Sequence, residues 1–499
     1  MKLQNIKKII GSKWVFKRKI NKQGIVERFK ARLCAKGFSQ IEGLDYNETY
    51  APVMRYKSLR IILALAAIKD MEIKQMDVET AFLNADISEE VYMEIPEGVS
   101  VQSEKLNLNK RFALKLNKAL YGTKQASHNW NVDLNQFILS LHFTRCISDP
   151  CVYFKITKTG KIIILSTFVD DIIIAYSKID ETEWLENKIQ LERKYKMKDL
   201  GEANWILGMR ITRDRKLKSL RIDHSVYIKK VLDVYNMTNC NKSDTPESSI
   251  KLLARDCPTT AKEKQDMKQI PYRGIVGAVI YTAASVRPDI SHAANMVSRF
   301  QENPGKIHWQ AAKRILRYLK GKSNLALVYK QDENSNYNSH IKINAYTDAD
   351  WGGDEDGRRS TTGSIIQINN CVINWISKKQ DIVAQSTTEA EYIAIAETVK
   401  EVKWLIEFLQ ELKFYDKKKE TATIYTDNQA AMKIAQSENN HNHQRTKHID
   451  IRYHFIKDEI NNKTINVEWV STVDQLADIN TKALGSTAFK NLRDKFMSE

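Results

Sequence analysis

Cysteine is scarce and unpatterned in this chain. Its 499 residues contain six, at positions 34, 146, 151, 240, 257 and 371, and none forms a CxxC pair. That spacing offers neither a zinc site nor a disulfide framework, and it points to a reducing compartment. Long apolar runs are missing as well. The longest candidate, residues 162–176, is split by two aspartates, so no stretch is fit to cross a bilayer as a helix. The opening MKLQNIKKIIGSK is short, polar and basic, unlike a secretory signal. Acidic residues are the minority charge, 61 Asp and Glu against 78 Lys and Arg, for a formal net charge of +17. Such an excess directs attention to a polyanionic partner, nucleic acid first and a membrane surface second. With 28% charged and 42% hydrophobic residues the chain has an ordinary globular composition, but it is too long for one core and implies at least two domains.

The stretch Ile162–Tyr176, IIILSTFVDDIIIAY, places adjacent aspartates Asp170 and Asp171 between two strand-length, β-branched runs. This reads as a β-hairpin with FVDD as its turn. Carboxylates against apolar surface are costly unless paired or metal-bound, and a hard divalent cation is the natural partner. A solvated turn is the competing reading, since Asp is common there. Upstream, KWVFKRKINKQGIVERFKARLCAKGFSQ (13–40) reads as a basic hairpin turning at Asn21–Gly24. Lys30 and Arg32 fall on one side of its second arm, able to meet phosphates, with a plain solvated face as the alternative. SLRIILALAAI (58–68) reads as a core helix capped by Ser58. In MEIKQMDVETAFL, Asp77 falls where a strand gives way to helical residues, a catalytic placement and equally a helix cap. LKLNKALYGTKQASHNW (114–130) makes a Gly-containing turn, with Tyr121, Gly122 and Gln125 as exposed-loop candidates, and then enters a helix.

Four blocks in this order, KARLCAKGFSQ, QMDVETAFLNADI, KALYGTKQASHNW and FVDDIIIAYS, resemble the reverse transcriptase of copia-type LTR retrotransposon Pol polyproteins. The resemblance implies that Asp77 and Asp170 hold two Mg²⁺ ions, with Asp171 nearer the primer terminus and the Val78 carbonyl as a further metal contact. It makes Lys30 and Arg32 grips for the incoming triphosphate, Phe82 a screen against a ribose 2′-hydroxyl, and Gln125 a neighbour of the incoming sugar. Polymerases of this kind use paired metals to clamp the attacking and leaving oxygens. This chain has Phe168 where the family usually has Tyr, and Ser127 where it usually has Pro. The family also carries fingers sequence ahead of KWVFK, so a clipped N-terminus is expected, and the integrase, protease and capsid-like regions are absent.

Further on, 182–197 reads as an amphipathic helix, and LGEANWILGMRITRD, with a turn at Gly201 and a strand at 205–211, resembles the family's grip on the primer strand. Residues 241–270 read as a loop or boundary broken by Pro246 and Pro258. Two helical stretches follow. The second carries Lys313, Arg314, Arg317 and Lys320, either a track for the template–primer backbone or a solvated face.

From Ile341 the pattern changes. A strand ends at Asp348, and a hairpin near 363–368 and 371–377 turns at Asn369–Asn370. A helix from about 387 to 411 has Glu389 in its first turn, a strand ends at Asp427, Ile465–Trp469 is a last strand, and a last helix carries Asp478. TDADW, STTEAEY, YTDNQAA and LADINTKAL match the copia-type form of ribonuclease H. By that resemblance Asp348, Glu389, Asp427 and Asp478 bind two Mg²⁺ ions and cut the RNA of a hybrid. Rival readings are a capping box for Ser386–Glu389, an N-cap for Asp427 and a surface position for Asp478. Ribonucleases H elsewhere carry a His after the last strand. Ser471–Gln475 has none, and His448 is the substitute to consider.

The expectation is an α+β multidomain chain: a right-hand polymerase with fingers, ferredoxin-like palm and thumb or connection, then a ribonuclease H-like mixed α/β domain. The divisions are 1–245 for fingers, palm and the start of the thumb, 246–335 for thumb or connection, 336–340 for a linker, 341–490 for ribonuclease H, and 491–499 for a tail. The expected function is RNA-directed DNA synthesis with ribonuclease H activity. It would use two Mg²⁺ per site (Mn²⁺ as substitute) on RNA template, DNA primer, RNA–DNA hybrid and dNTPs, with no membrane partner. The place is intracellular, a cytoplasmic virus-like particle or the nucleus, without secretion. The rivals are an inactive remnant that still binds nucleic acid, and a ribonuclease H alone.

Overall fold

The β-branched runs flanking FVDD do form a hairpin, and it sits inside a six-stranded sheet. The computed structural model describes residues 9–20, 26–99, 112–331, 340–437 and 450–499. His448 and most of the expected linker lie outside the described residues. The chain divides into two compact units, one of residues 1–54 and 73–202, the other of residues 55–72 and 203–499.

In the first unit, β1 (Ser12–Ile20) and β2 (Val26–Ala35) pair antiparallel. Their register puts Lys30 opposite Lys17 and Arg32 opposite Val15, all on one face, while Trp14, Phe16 and Phe29 share the other. The chain then passes through α1 (Tyr56–Ile68), which groups with the second unit, into β3 (Met71–Val78). A short pair, β4 (Tyr92–Glu94) and β5 (Ala113–Lys115), precedes α2 (Ala126–Ser140). Next come β6 (Thr144–Arg145), β7 (Val152–Ile156), β8 (Ile162–Phe168), β9 (Asp171–Ser177), α3 (Glu181–Lys194) and β10 (Met197–Glu202). The sheet order is β10-β3-β9-β8-β7-β6. β8 and β9 are almost wholly buried, so they read as continuous apolar runs rather than alternating ones. Trp130, Leu134 and Ile138 of α2 and Trp184 and Leu191 of α3 close the core over this sheet. Adjacency of β3 and β9 brings Asp77 beside the FVDD turn.

In the second unit, α1 starts from Arg55, not Ser58. Ser58 is fully buried within the helix, packed rather than free to cap. Arg60 of α1 is buried too, donating to the carbonyls of Ile373, Ala284 and Ser285 at 2.7–2.8 Å, with its guanidinium 4.0 Å over the Trp375 ring. The strand expected over 205–211 is a tight hairpin of β11 (Trp205–Ile206) and β12 (Met209–Asp214), because Leu207 and Gly208 both take positive φ. β13 (Ser219–Asp223) and α4 (Ser225–Val234) follow. The expected loop 241–270 contains α5 (Ala261–Lys268), held by a Thr260–Glu263 capping box. The first of the two expected helical stretches is broken into α6 (Tyr272–Ser285) and α7 (Ser291–Ser298) at Pro288. The buried Arg287–Asp289 pair, 2.7–2.8 Å with Tyr318 donating to Asp289 at 2.6 Å, pins that break.

The basic helix is α8 (Lys306–Gly321). Three of the four cations singled out above bond to the 240–245 segment: Arg314 donates to Thr245, Arg317 to the Asn241 carbonyl and Lys320 to the Cys240 carbonyl. All three are half-buried, and their bonds tie the helix to that segment. β14 (Ala326–Lys330) then joins β11, β12 and β13 in a sheet of order β11-β12-β13-β14-β20, where β20 (Met497–Ser498) is the end of the chain, so the expected tail is built into a sheet.

The last sheet is made by β15 (Ile343–Asp350), β16 (Thr361–Ile368), β17 (Cys371–Lys379), β18 (Ala422–Thr426) and β19 (Ile465–Trp469), in order β17-β16-β15-β18-β19. β17, β16 and β15 are antiparallel, while β18 and β19 run parallel to β15. Positive φ at Asn369 and Asn370 makes the expected two-residue turn. α9 (Thr387–Glu411) packs on this sheet, with α10 (Gln429–Gln436), α11 (Asp450–Asn461) and α12 (Ser486–Arg493) completing the chain. This mixed α/β arrangement, with the separate six-stranded sheet of the first unit, gives an α+β chain overall.

Candidate active sites

In the first unit the hairpin turn consists of Val169 and Asp170, with Phe168 opposite Asp171. Val169 takes φ +59°, an outlier for a β-branched residue. Conformations of this kind cost about 1–3 kcal/mol and persist where the surroundings over-determine them. Two hydrogen bonds do so here. The Trp130 indole N–H donates to the Val169 carbonyl at 2.7 Å, and the Val78 N–H donates to the Asp170 carbonyl at 2.9 Å. Gln75 donates to Asp171 at 3.1 Å. Burial pushes the Asp171 carboxyl upward against that hydrogen bond, and the charges of Asp170 and Asp77 push the same way as burial. The three carboxylates therefore share one electrostatic neighbourhood.

Tyr121 lies in that neighbourhood as well. Burial raises its hydroxyl, Arg32 opposes, and Asp170 and Asp77 add to the rise. Its ring has the Arg32 guanidinium 5.3 Å from its centroid and the Phe82 ring 4.9 Å away. Lys30 is half-buried on the same hairpin face as Arg32. Val78 is buried at the end of β3. Gln125 departs from expectation: it is fully buried, donating to the Asp45 carbonyl at 2.9 Å and accepting from Gln40 at 3.0 Å. Its amide is spent on tying two loops together and is not exposed to a sugar.

In the second unit, Asp348 lies near the carboxyl end of β15, and Asp427 just beyond the carboxyl end of its parallel neighbour β18. Asp478 comes from a 3₁₀ turn, Leu476–Asn480, rather than from the expected helix. That turn lies against β16 because Gly363 leaves room, where a Cβ would sit 2.5 Å from Thr481 Cγ2 and 2.8 Å from the Ala477 carbonyl. Carboxylate oxygens of Asp348, Asp427 and Asp478 fall within 4.8 Å of one another, and among the described residues no other trio of potential ligands does so. Thr481 donates to Asp348 at 2.5 Å, Thr472 donates to Asp427 at 2.8 Å, and Lys482 pairs with Asp478 at 2.9 Å.

Glu389 does not join this cluster as a free carboxylate. It sits in the first turn of α9, where its N–H donates to Ser386 Oγ at 3.2 Å and its Oε2 accepts from the Gln385 N–H at 2.8 Å. The acidic side chain facing the trio is Glu391, half a turn on. Burial, then the neighbouring Asp348 and Asp427 charges, push its carboxyl up to about 10. Its Oε2 is buried with no hydrogen-bond partner. Asp478 is likewise pushed up, to about 7, by burial and by Asp348. Asp427 does not cap α10, since Asn428 accepts from the Ala431 N–H at 2.9 Å.

A family model described as "Reverse transcriptase (RNA-dependent DNA polymerase)" matches residues 1–249. The chain is 43% identical over 485 residues to the "Retrovirus-related Pol polyprotein from transposon TNT 1-94" of Nicotiana tabacum, covering 97% of this chain and 35% of that protein. It is 38% identical over 488 residues to the corresponding polyprotein from transposon RE1 of Arabidopsis thaliana, covering 98% and 31%. It is 31% identical over 334 residues to a putative transposon Ty5-1 protein of Saccharomyces cerevisiae, covering 66% of this chain and 100% of that one. The chain belongs to the copia-type retrotransposon Pol family of reverse transcriptases. It spans about a third of the length of the two plant Pol polyproteins. The family model ends at residue 249, so the cluster of Asp348, Asp427, Asp478 and Glu391 lies outside it, within the part aligned to the longer Pol relatives.

Proposed function

We propose that this chain is an RNA-directed DNA polymerase with ribonuclease H activity, with one site at the FVDD turn and a second at the Asp348 cluster. The cluster carries the reading. Three carboxylates lie within 4.8 Å of one another, and a fourth, Glu391, feels the charges of two of them; the single Lys482 ammonium does not balance so many negative charges. Such acceptor-only oxygens suit a hard divalent cation such as Mg²⁺ or Mn²⁺. Asp348, Asp427, Asp478 and Glu391 would hold it, and Asp77, Asp170, Asp171 and the Val78 carbonyl would do the same in the first unit. When bound, paired divalent ions supply charge stabilisation to an in-line phosphoryl transfer.

The chain's own groups do the rest. Thr481 and Thr472 orient Asp348 and Asp427. Lys482, paired with Asp478, adds a positive charge beside the place where a scissile phosphate would lie. In the first unit Lys30 and Arg32 bind the triphosphate, and Arg32 stacks over Tyr121, which with Phe82 forms an aromatic wall against the incoming sugar. The substrates are RNA template, DNA primer, RNA–DNA hybrid and dNTPs, recognised through backbone and shape, inside the cell. The boundary between polymerase and ribonuclease portions falls near residue 340. A second reading, ribonuclease H alone, is favoured by one observation: Asp77, Asp170 and Asp171 do not close to the mutual distance of the Asp348 trio. Primer extension on an RNA template, run beside hybrid cleavage, tests both. Cleavage without extension selects the second reading, and neither activity from folded protein selects the inactive remnant.

A further inference from the structure

The hairpin that carries Asp170 and Asp171 is held in a conformation its own sequence disfavours. Its first turn residue is a valine at φ +59°, where glycine is the residue of choice for a two-residue hairpin loop. Backbone pairing on the β8–β9 side ends at Phe168 and Asp171, so the ladder itself does not fix the Val169 peptide. Beside the Val78 N–H, which holds the next carbonyl at Asp170, the group that reaches the Val169 carbonyl itself is the indole of Trp130, 39 residues earlier on α2, whose N–H donates to it at 2.7 Å. Trp130 is only 2% exposed. Its ring is fixed edge-on against Tyr195 at 5.2 Å, and Tyr195 in turn donates to Asp133 of the same helix at 2.8 Å. The donor is therefore rigid, dry and aimed.

We infer that Trp130 is a positioning residue for the polymerase site. Its N–H holds the strained Val169 peptide so that Asp170 and Asp171 project together beside Asp77. The inference rests on the polymerase reading above. The role is distinct from simple core packing, since a core tryptophan needs only its ring, whereas the clamp needs the N–H. A buried tryptophan N–H requires some partner, but here the partner is the carbonyl of the strained turn residue that immediately precedes the two adjacent carboxylates.

Trp130→Phe separates the two roles in the full-length chain by keeping a ring and deleting the donor. Extension kcat should fall about fivefold or more, the scale set by one lost neutral hydrogen bond. KM for dNTP, affinity for hybrid and the rate of hybrid cleavage should stay within about twofold. Amide hydrogen exchange over 163–176 should accelerate by a similar factor while exchange over 343–379 does not change. Adding Val169→Gly, which removes the disfavoured conformation, should return both extension and exchange in Trp130→Phe to the level of Val169→Gly alone. Unchanged exchange in Trp130→Phe, loss of extension and cleavage together, or no rescue by Val169→Gly would each overturn the inference. If the wild type itself does not extend, the polymerase reading falls, and the exchange arm still decides whether Trp130 clamps the turn.

Discussion

Glu391→Gln and Glu389→Gln, two residues apart on one helix, should behave in opposite ways. The Glu391 carboxyl is pushed up to about 10 by burial and by Asp348 and Asp427, so in ion-free protein at pH 7 it is protonated and neutral. Holding it ionised there would cost roughly 4 kcal/mol. A doubly charged cation held by the proposed site would return about 8 kcal/mol, taking a charge separation of about 4 Å and an effective dielectric near 20. The difference, about 4 kcal/mol, is what Glu391 would contribute to ion binding and to stabilising charge during cleavage in the proposed reaction. Glutamine keeps the shape of the protonated acid, so Glu391→Gln should leave ion-free stability within about 1 kcal/mol while lowering hybrid cleavage about a thousandfold. Glu389 accepts one backbone N–H in a capping turn, a bond that a glutamine carbonyl also accepts, so Glu389→Gln should cleave within about threefold of wild type. The assay is cleavage of a labelled RNA–DNA hybrid with Mg²⁺ titrated, beside thermal melting with and without the ion. Near-wild-type cleavage by Glu391→Gln, or abolition by Glu389→Gln, would refute this reasoning.

Three further outcomes follow from the second unit. Gly363→Ala drives a Cβ to 2.5 Å from Thr481 Cγ2, so it should cost about 1–3 kcal/mol and impair hybrid cleavage, because the displaced turn carries Asp478; melting and cleavage assays check it. Arg60→Met strands two buried carbonyl acceptors and a partly buried one and removes the guanidinium over Trp375, and should destabilise by about 3 kcal/mol in urea denaturation. His224 is held down to about 4, chiefly by burial, so it stays neutral in the fold while the unfolded chain takes up a proton near 6.5. Its contribution is therefore intact above pH 6.5 and is lost progressively, up to roughly 3 kcal/mol, as pH falls from 6.5 towards 4. His224→Gln should flatten melting temperature across that window relative to wild type.

Much of this was legible in the residues because local pattern and tertiary demand agree. The runs around FVDD are buried on both faces and bounded by a two-residue turn, so pattern and outcome coincide. So do Asn369–Asn370 and the alternation of Ile465 and Val467, whereas Trp469 ends its strand exposed. The misreadings have physical causes. Glu389 follows Ser386 at capping-box spacing, but it is Ser386 that caps α9, while Glu389 accepts from the Gln385 N–H; stepping back four residues from the core position Ile395 leads to Glu391, a signal available in the helix periodicity. Ser58 looked like a cap, but Arg55 starts the helix and the packing of α1 buries Ser58. Gln125 stood in a polar, Gly-containing stretch, and only the long-range bonds to Gln40 and Asp45 reveal that it is buried. The bonding of Arg314, Arg317 and Lys320 depends on where the 240–245 segment lies, which helical spacing does not encode. Trp130 offered no sequence signal beyond being a tryptophan in a helix.

The central claim is two separable phosphoryl-transfer sites in one chain. The direct measurement is primer extension on RNA and hybrid cleavage, both in Mg²⁺, for wild type, Asp170→Asn and Asp348→Asn. The account predicts that wild type does both, that Asp170→Asn cleaves but does not extend, and that Asp348→Asn extends but does not cleave. Loss of both activities in either variant, with the fold intact by melting, would contradict it.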